Sequence, residues 1–165
     1  MPAEAATTPP TQLERPAHFA LVDAAPSIDV VIDRFLDALQ RKYFTAMHRL
    51  RVTESEYRTF FLPGSMEPGK PPRVYNETYS KYAWDMINTN SIYAANQIIA
   101  NYGGHKLTVK ERRFLKGQQQ YGWYQAYKTL HLVLQDETGR ERELTLGSIV
   151  DVDGQFKFMG LLGHT

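Results

Sequence analysis

At Gly103-Gly104 the hydrophobic period of this chain changes from 3.6 residues to 2, and no other feature restricts its fold as much. Upstream the pattern is helical. Ser27 is a good N-cap for a helix that places Val30, Val31, Phe35, Leu36 and Leu39 on one stripe and ends near Arg41-Lys42. Phe44, Met47 and Leu50 recur at spacing three in a short second helix over 43–50. Thr53-Glu54-Ser55-Glu56 has capping-box spacing and opens a third helix, which Leu62-Pro63-Gly64 stops. The Pro- and Gly-rich stretch 63–74 is a loop, placed as a lid or rim. A long helix then runs from about Asn76 to Ala100, in which Asn88-Thr89-Asn90-Ser91 offer a break with Ser91 as a second cap.

Downstream the alternation is that of half-buried strands. Leu107 and Val109 alternate with lysines and Thr108, and Leu130, Leu132 and Leu134 stand opposite Thr129, His131 and Val133. Leu144, Leu146, Ser148, Val150 and Val152 share a face, as do Phe156, Phe158, Gly160 and Leu162. Asp136-Glu137-Thr138-Gly139-Arg140 and Asp153-Gly154 are turn signals between them. Helices followed by four strands joined by short loops predict an α+β domain over residues 27–165, with an antiparallel meander packed by one face on the helices.

The first 26 residues hold five of the nine prolines and seven alanines, a composition predicted to form a disordered tail. The chain has 19 Lys+Arg against 18 Asp+Glu, and the tail's share of the acids leaves the folded part only mildly basic. That balance argues against nucleic acid as a standing partner. The stretch 105–116, with Lys106, Lys110, Arg112, Arg113 and Lys116 against Glu111, reads as a charged sheet edge that discourages pairing with other chains. No apolar run is long enough to span a membrane. The acidic, proline-broken start is not a secretory signal, so the compartment stays open: cytoplasmic, or extracytoplasmic with a signal trimmed away.

With no cysteine, a disulfide framework, a thiolate metal site and a thiol nucleophile are excluded. His48, His105 and His164 have no His partner at i,i+4, and no GxxxxGK[ST], GxGxxG or GxSxG pattern occurs, so neither a metal nor a cofactor is expected.

Three helical segments, a long helix ending in Tyr102-Gly103-Gly104, and strands finishing in Gly147 to Phe158 with a turn at Asp153-Gly154 resemble the NTF2-like, cystatin-related α+β roll. Thr53 to Arg58, the Trp84 helix and the Gly104 to Gly154 meander look most like its small bacterial members of uncharacterised function. The resemblance implies a cavity between the helices and a curved sheet. It covers residues 27–162 in order and kind of elements, and its use in binding or catalysis does not follow from fold alone.

Within that frame, Tyr57, Tyr82, Trp84, Asp85, Tyr124 and His131 are the candidate ligand-binding residues. Trp84 and the tyrosines are either core or the wall of an aromatic-lined cavity, because a buried indole or phenol still needs a polar partner. The expected function is a non-catalytic module binding an apolar or aromatic small molecule, or a protein. The alternative is an isomerase- or dehydratase-type enzyme using Asp85 or His131 as base and a Tyr as donor. His131 alternates with leucines and so falls on the outer face of its strand unless a bulge near Tyr124–Lys128 reverses it. Tyr121, Trp123 and Tyr127, joined by Ile149, Met159 and Leu161, predict an apolar outer sheet face and a homodimer through it.

Overall fold

The computed structural model describes residues 13–162. It is α+β, with helices first and two antiparallel sheets after them. Helix α1 spans Ile28–Gln40, and its Ser27 cap accepts from the Val30 amide. Helix α2 spans Phe44–Arg49. Helix α3 begins as Glu54–Glu56 behind a complete capping box between Thr53 and Glu56, then widens into a π-helical turn over Tyr57–Phe61. That turn is closed by the Leu62 amide on the Tyr57 carbonyl, and it buries Phe60 and Phe61 side by side. Helix α4 runs unbroken over Glu77–Tyr102. The expected break at Ser91 does not form because Ser91 is buried inside the helix, where its hydroxyl accepts from the Leu161 amide.

Seven strands follow among the described residues: β1 (Thr108–Phe114), β2 (Gln118–Gln120), β3 (Gln125–Tyr127), β4 (Leu130–Gln135), β5 (Glu141–Thr145), β6 (Ile149–Val152) and β7 (Gln155–Phe158). One sheet has the order β1-β4-β5 and the other β2-β3-β6-β7. Thr129, at the seam between β3 and β4, has φ +61, an unusual value for a β-branched residue. The loop at Asp136–Arg140 and the Asp153-Gly154 turn, both with positive φ at glycine, fall where the sequence puts them.

Two cores flank the second sheet. The first joins α1, α2 and the C-terminal half of α4 to Leu130, Leu132, Leu134 and Phe158. The second gathers Tyr57, Phe60, Phe61, Trp84, Trp123, Tyr124, Val150 and Val152. Strand β6 serves both, since Ile149 lies in the first core and its neighbour Val150 in the second.

This double burial removes three of the six residues expected on an apolar outer face, while Tyr121, Tyr127 and Met159 stay partly exposed. Trp123, Ile149 and Leu161 are buried within the chain, and Trp123 packs against Phe60 with ring centroids 5.4 Å apart. The large exposed apolar side chains of α4, Tyr79, Tyr82, Met86 and Tyr93, lie instead on the helix surface.

The predicted tail also ends earlier than residue 26. Leu21 and Ala25 are buried, Phe19 stacks on Phe60, and Ala25 exchanges backbone hydrogen bonds with Phe156, so residues 13–26 form a strap across β7. Burial of Leu21 and Ala25 offsets the ordering entropy that the composition argued against. The remainder of that expected tail, residues 1–12, and His164 lie outside the described residues. No helix among the described residues is long and apolar enough to cross a membrane.

Candidate functional site

Between α2 and α3 the chain runs extended along β7. The Phe158 amide donates to the Leu50 carbonyl and the Val52 amide to the Phe158 carbonyl, both at 2.8 Å. These bonds fix Arg51 beside the sheet, and the residue as a whole is only 2% exposed. Strand β7 brings Lys157 to the same region at 1% exposure. Helix α4 contributes Trp84 and, one turn on, Asn88.

The two buried cations are held differently. Lys157 donates to Glu56 Oε1 at 3.0 Å. The same carboxylate accepts the Thr53 amide at 2.9 Å and, through Oε2, the Val22 amide at 2.6 Å. Arg51 has no carboxylate. Its Nη1 donates to Asn88 Oδ1 at 3.0 Å and lies 3.3 Å from His48 Nδ1, and its Cζ stands 5.6 Å from the Trp84 ring centre. Nε and Nη2 are buried with no hydrogen-bond partner among the described residues. Burial without a counter-charge pulls the guanidinium down to about 10.

His48 is lowered from its ordinary range first by burial and then by the Arg51 charge. Because Arg51 can only donate, His48 Nδ1 is the acceptor, and the neutral ring carries its proton on Nε2.

His48, Arg51 and Lys157 border a cavity of about 240 Å³, whose walls include Val22 of the strap, Val52 and Trp84. Exposed Asp23, Arg49 and Glu54 stand at its lip, while buried Arg51 and Lys157 lie deeper.

Of the residues named from sequence, three come together. Tyr57 and Trp84 pack with ring centres 5.8 Å apart, and Tyr124 belongs to the same core, stacked on Tyr121 and edge-on to Phe61. Burial, with Tyr79 and Tyr75 nearby, pushes the Tyr57 phenol up to about 12. Burial likewise raises Tyr124, with Tyr121 and Tyr57 adding to it. The other three lie elsewhere. Tyr82 is 61% exposed, and Asp85 pairs on the surface with Lys81 at 2.8 Å. His131 alternates with the buried leucines of β4, with Nδ1 2.9 Å from Thr145 Oγ1 and Nε2 3.7 Å from Glu143. Neither Asp85 nor His131 shows a hydrogen bond to a tyrosine among the described residues.

The sequence reading missed Arg51, His48, Asn88 and Lys157 as site residues. A usable signal was present for two of them, since Arg51 and Lys157 each interrupt an apolar triplet, Leu50-Arg51-Val52 and Phe156-Lys157-Phe158. Pocket space also opens between α4 and the seam of the sheets, about 150 Å³ bordered by Ser91, Thr129 and Ser148, but Ser91 and Ser148 already accept backbone amides there.

Comparison of the chain with known protein families, with curated proteins and with solved structures finds no match.

Proposed function

We propose that this chain is a small-molecule-binding module, built as an NTF2-like roll, that uses the cavity beside Trp84. Support for the roll comes from the seam. The Leu115 amide donates to the Thr129 carbonyl, the Lys128 amide to Gly117 and the Leu146 amide to Leu130, so the seven strands read as four long, bent strands of one meander. Thr129 at the bend supplies the curvature such a roll needs.

One observation carries the binding reading. The Trp84 ring, two valines and two buried cations, Arg51 and Lys157, border a single cavity. Ligand sites combine apolar walls with a few placed polar groups in this way. Binding is favoured over catalysis because His48 Nδ1 is occupied by Arg51, which leaves the ring as a donor rather than a base.

The test is a two-dimensional amide and indole NMR screen of the full chain against small apolar and aromatic compounds. Saturable movement of the Trp84 indole together with Val22 and His48 is expected from at least one class of compound. A screen in which those resonances stay fixed while the protein is folded contradicts the reading.

A further inference from the structure

Helix α4 has two opposite faces built for contact, and the domain covers one of them. Trp84, Ser91 and Ile98 recur along its inner face and are buried. On the other side Tyr79, Tyr82, Met86, Thr89, Tyr93 and Asn96 follow one another at alternating steps of three and four, the spacing of a helix–helix seam. All of these are exposed. We infer that this stripe is a dimer interface, on which the α4 helix of a second copy of the chain lies antiparallel.

A solvated helix face normally carries charge, and this one does not. From Met86 to Gly104 the chain has no Asp, Glu, Lys or Arg, although 22% of the whole is charged. Depletion of charge, with Tyr and Met in its place, is the composition of the buried centre of an interface. The charges beside the stripe gather at its N-terminal end, where Lys81 pairs with Asp85 and Arg58 with Glu77, as a polar rim would. Tyr79, Tyr82, Met86 and Tyr93 are 47–62% exposed. Side chains of that size have about 200 Å² to bury, so these leave about 400 Å² open on each copy. Two copies face to face, with Thr89 and Asn96 included, reach about 1,000 Å², the lower bound for a specific interface.

The stripe also fits its own copy better than a charged partner, which would find nothing on it to pair with. With a two-fold axis between Ile87 and Asn88, Tyr79 meets Asn96 of the second copy, Tyr82 meets Tyr93 and Met86 meets Thr89. Large side chains thereby face smaller ones in two of the three layers, which lets them interdigitate. Charge sets the direction. A parallel pair would oppose Glu77, Lys81 and Asp85 to their own copies, whereas reversal lays that charged half against the uncharged half. The Trp84 cavity lies on the inner side of the helix, so the interface is independent of the binding reading.

The experiment is sedimentation equilibrium of the full chain from about 1 to about 100 µM, with dimer expected at the upper end. Tyr82→Glu/Tyr93→Glu is expected to weaken the dimer at least about tenfold while leaving the circular dichroism spectrum unchanged, because both side chains are exposed in the single chain. Tyr82→Ser/Tyr93→Ser serves if the Glu variant does not fold. The chain has no cysteine, so introduced thiols report position cleanly. A short bis-maleimide is expected to join copies of Tyr79→Cys/Asn96→Cys. It should not join copies of Tyr79→Cys alone, since reversal sets that position about 26 Å from its counterpart. A chain that stays monomeric throughout overturns the self-pairing and gives the stripe to a different protein. A dimer that the Glu and Ser variants leave intact overturns the interface. Crosslinking of Tyr79→Cys alone, or none in the double variant, overturns the antiparallel register.

Discussion

Arg51 and Lys157 are neighbours in the fold and opposites in their chemistry. Both are buried cations bordering one cavity, and both are positioned by β7, which carries Lys157 and hydrogen-bonds the residues on either side of Arg51. Lys157 meets a carboxylate that is itself saturated by two backbone amides, and the strap is tied down through the same oxygen pair. Arg51 meets a neutral imidazole, an amide oxygen and an aromatic face, and keeps two donors unmade. The lesson lies in that contrast. Lys157 is compensated inside the chain, whereas Arg51 is held against a desolvation cost that no carboxylate among the described residues repays.

The comparison breaks most readily at Glu56. Replacing it by Ala strands the Lys157 ammonium, unmakes the capping box and frees the Val22 amide. Removing one partner of a buried pair costs about 3–5 kcal/mol, and urea unfolding is expected to show a loss of that size. Arg51→Met should behave in the opposite sense. It removes an uncompensated charge and its two unmade donors while leaving Asn88 and His48 partly open to water, so stability is expected to stay level or rise by about 1 kcal/mol in the same assay. A loss near that of Glu56→Ala would make Arg51 a structural residue.

The smallest effect is expected from His48. Its folded value lies below the unfolded 6.5, so the unfolded chain binds the extra proton, and stability is full above 6.5 and declines as the pH falls toward the folded value. Protonation also removes the acceptor from Arg51 and sets two cations face to face. Urea midpoints measured at about pH 7.5 and about pH 5.5 should differ less in His48→Gln than in the parent chain. An unchanged difference would separate His48 from the Arg51 environment.

Much of this architecture was legible in local signals. The Ser27 cap, the Thr53–Glu56 capping box, the Asp153-Gly154 turn and the alternation of Leu130, Leu132 and Leu134 are properties of short stretches, and the structure keeps each of them. The errors arose where two distant segments share a surface. Ile149 and Val150 are both buried because β6 lies between two cores, a fact that alternation along one strand does not contain. Residues 19–25 look unable to fold alone and become ordered against Phe60, Glu56 and Phe156. The site followed the same rule. Aromatic density pointed to Tyr57, Trp84 and Tyr124, whereas Arg51 owes its role to the absence of a carboxylate across the fold, which no spacing in the sequence expresses.

The most direct measurement is the indole region of a ¹H–¹⁵N spectrum of the full chain, with the Trp84 signal assigned by its loss in Trp84→Phe, recorded across the screen of small apolar and aromatic compounds. The account predicts that the Trp84 indole N–H moves and saturates with at least one class of compound, together with the Val22 and His48 signals, while the Trp123 indole stays in place. A Trp84 indole that stays fixed with every class, under conditions where the chain is folded, would contradict it.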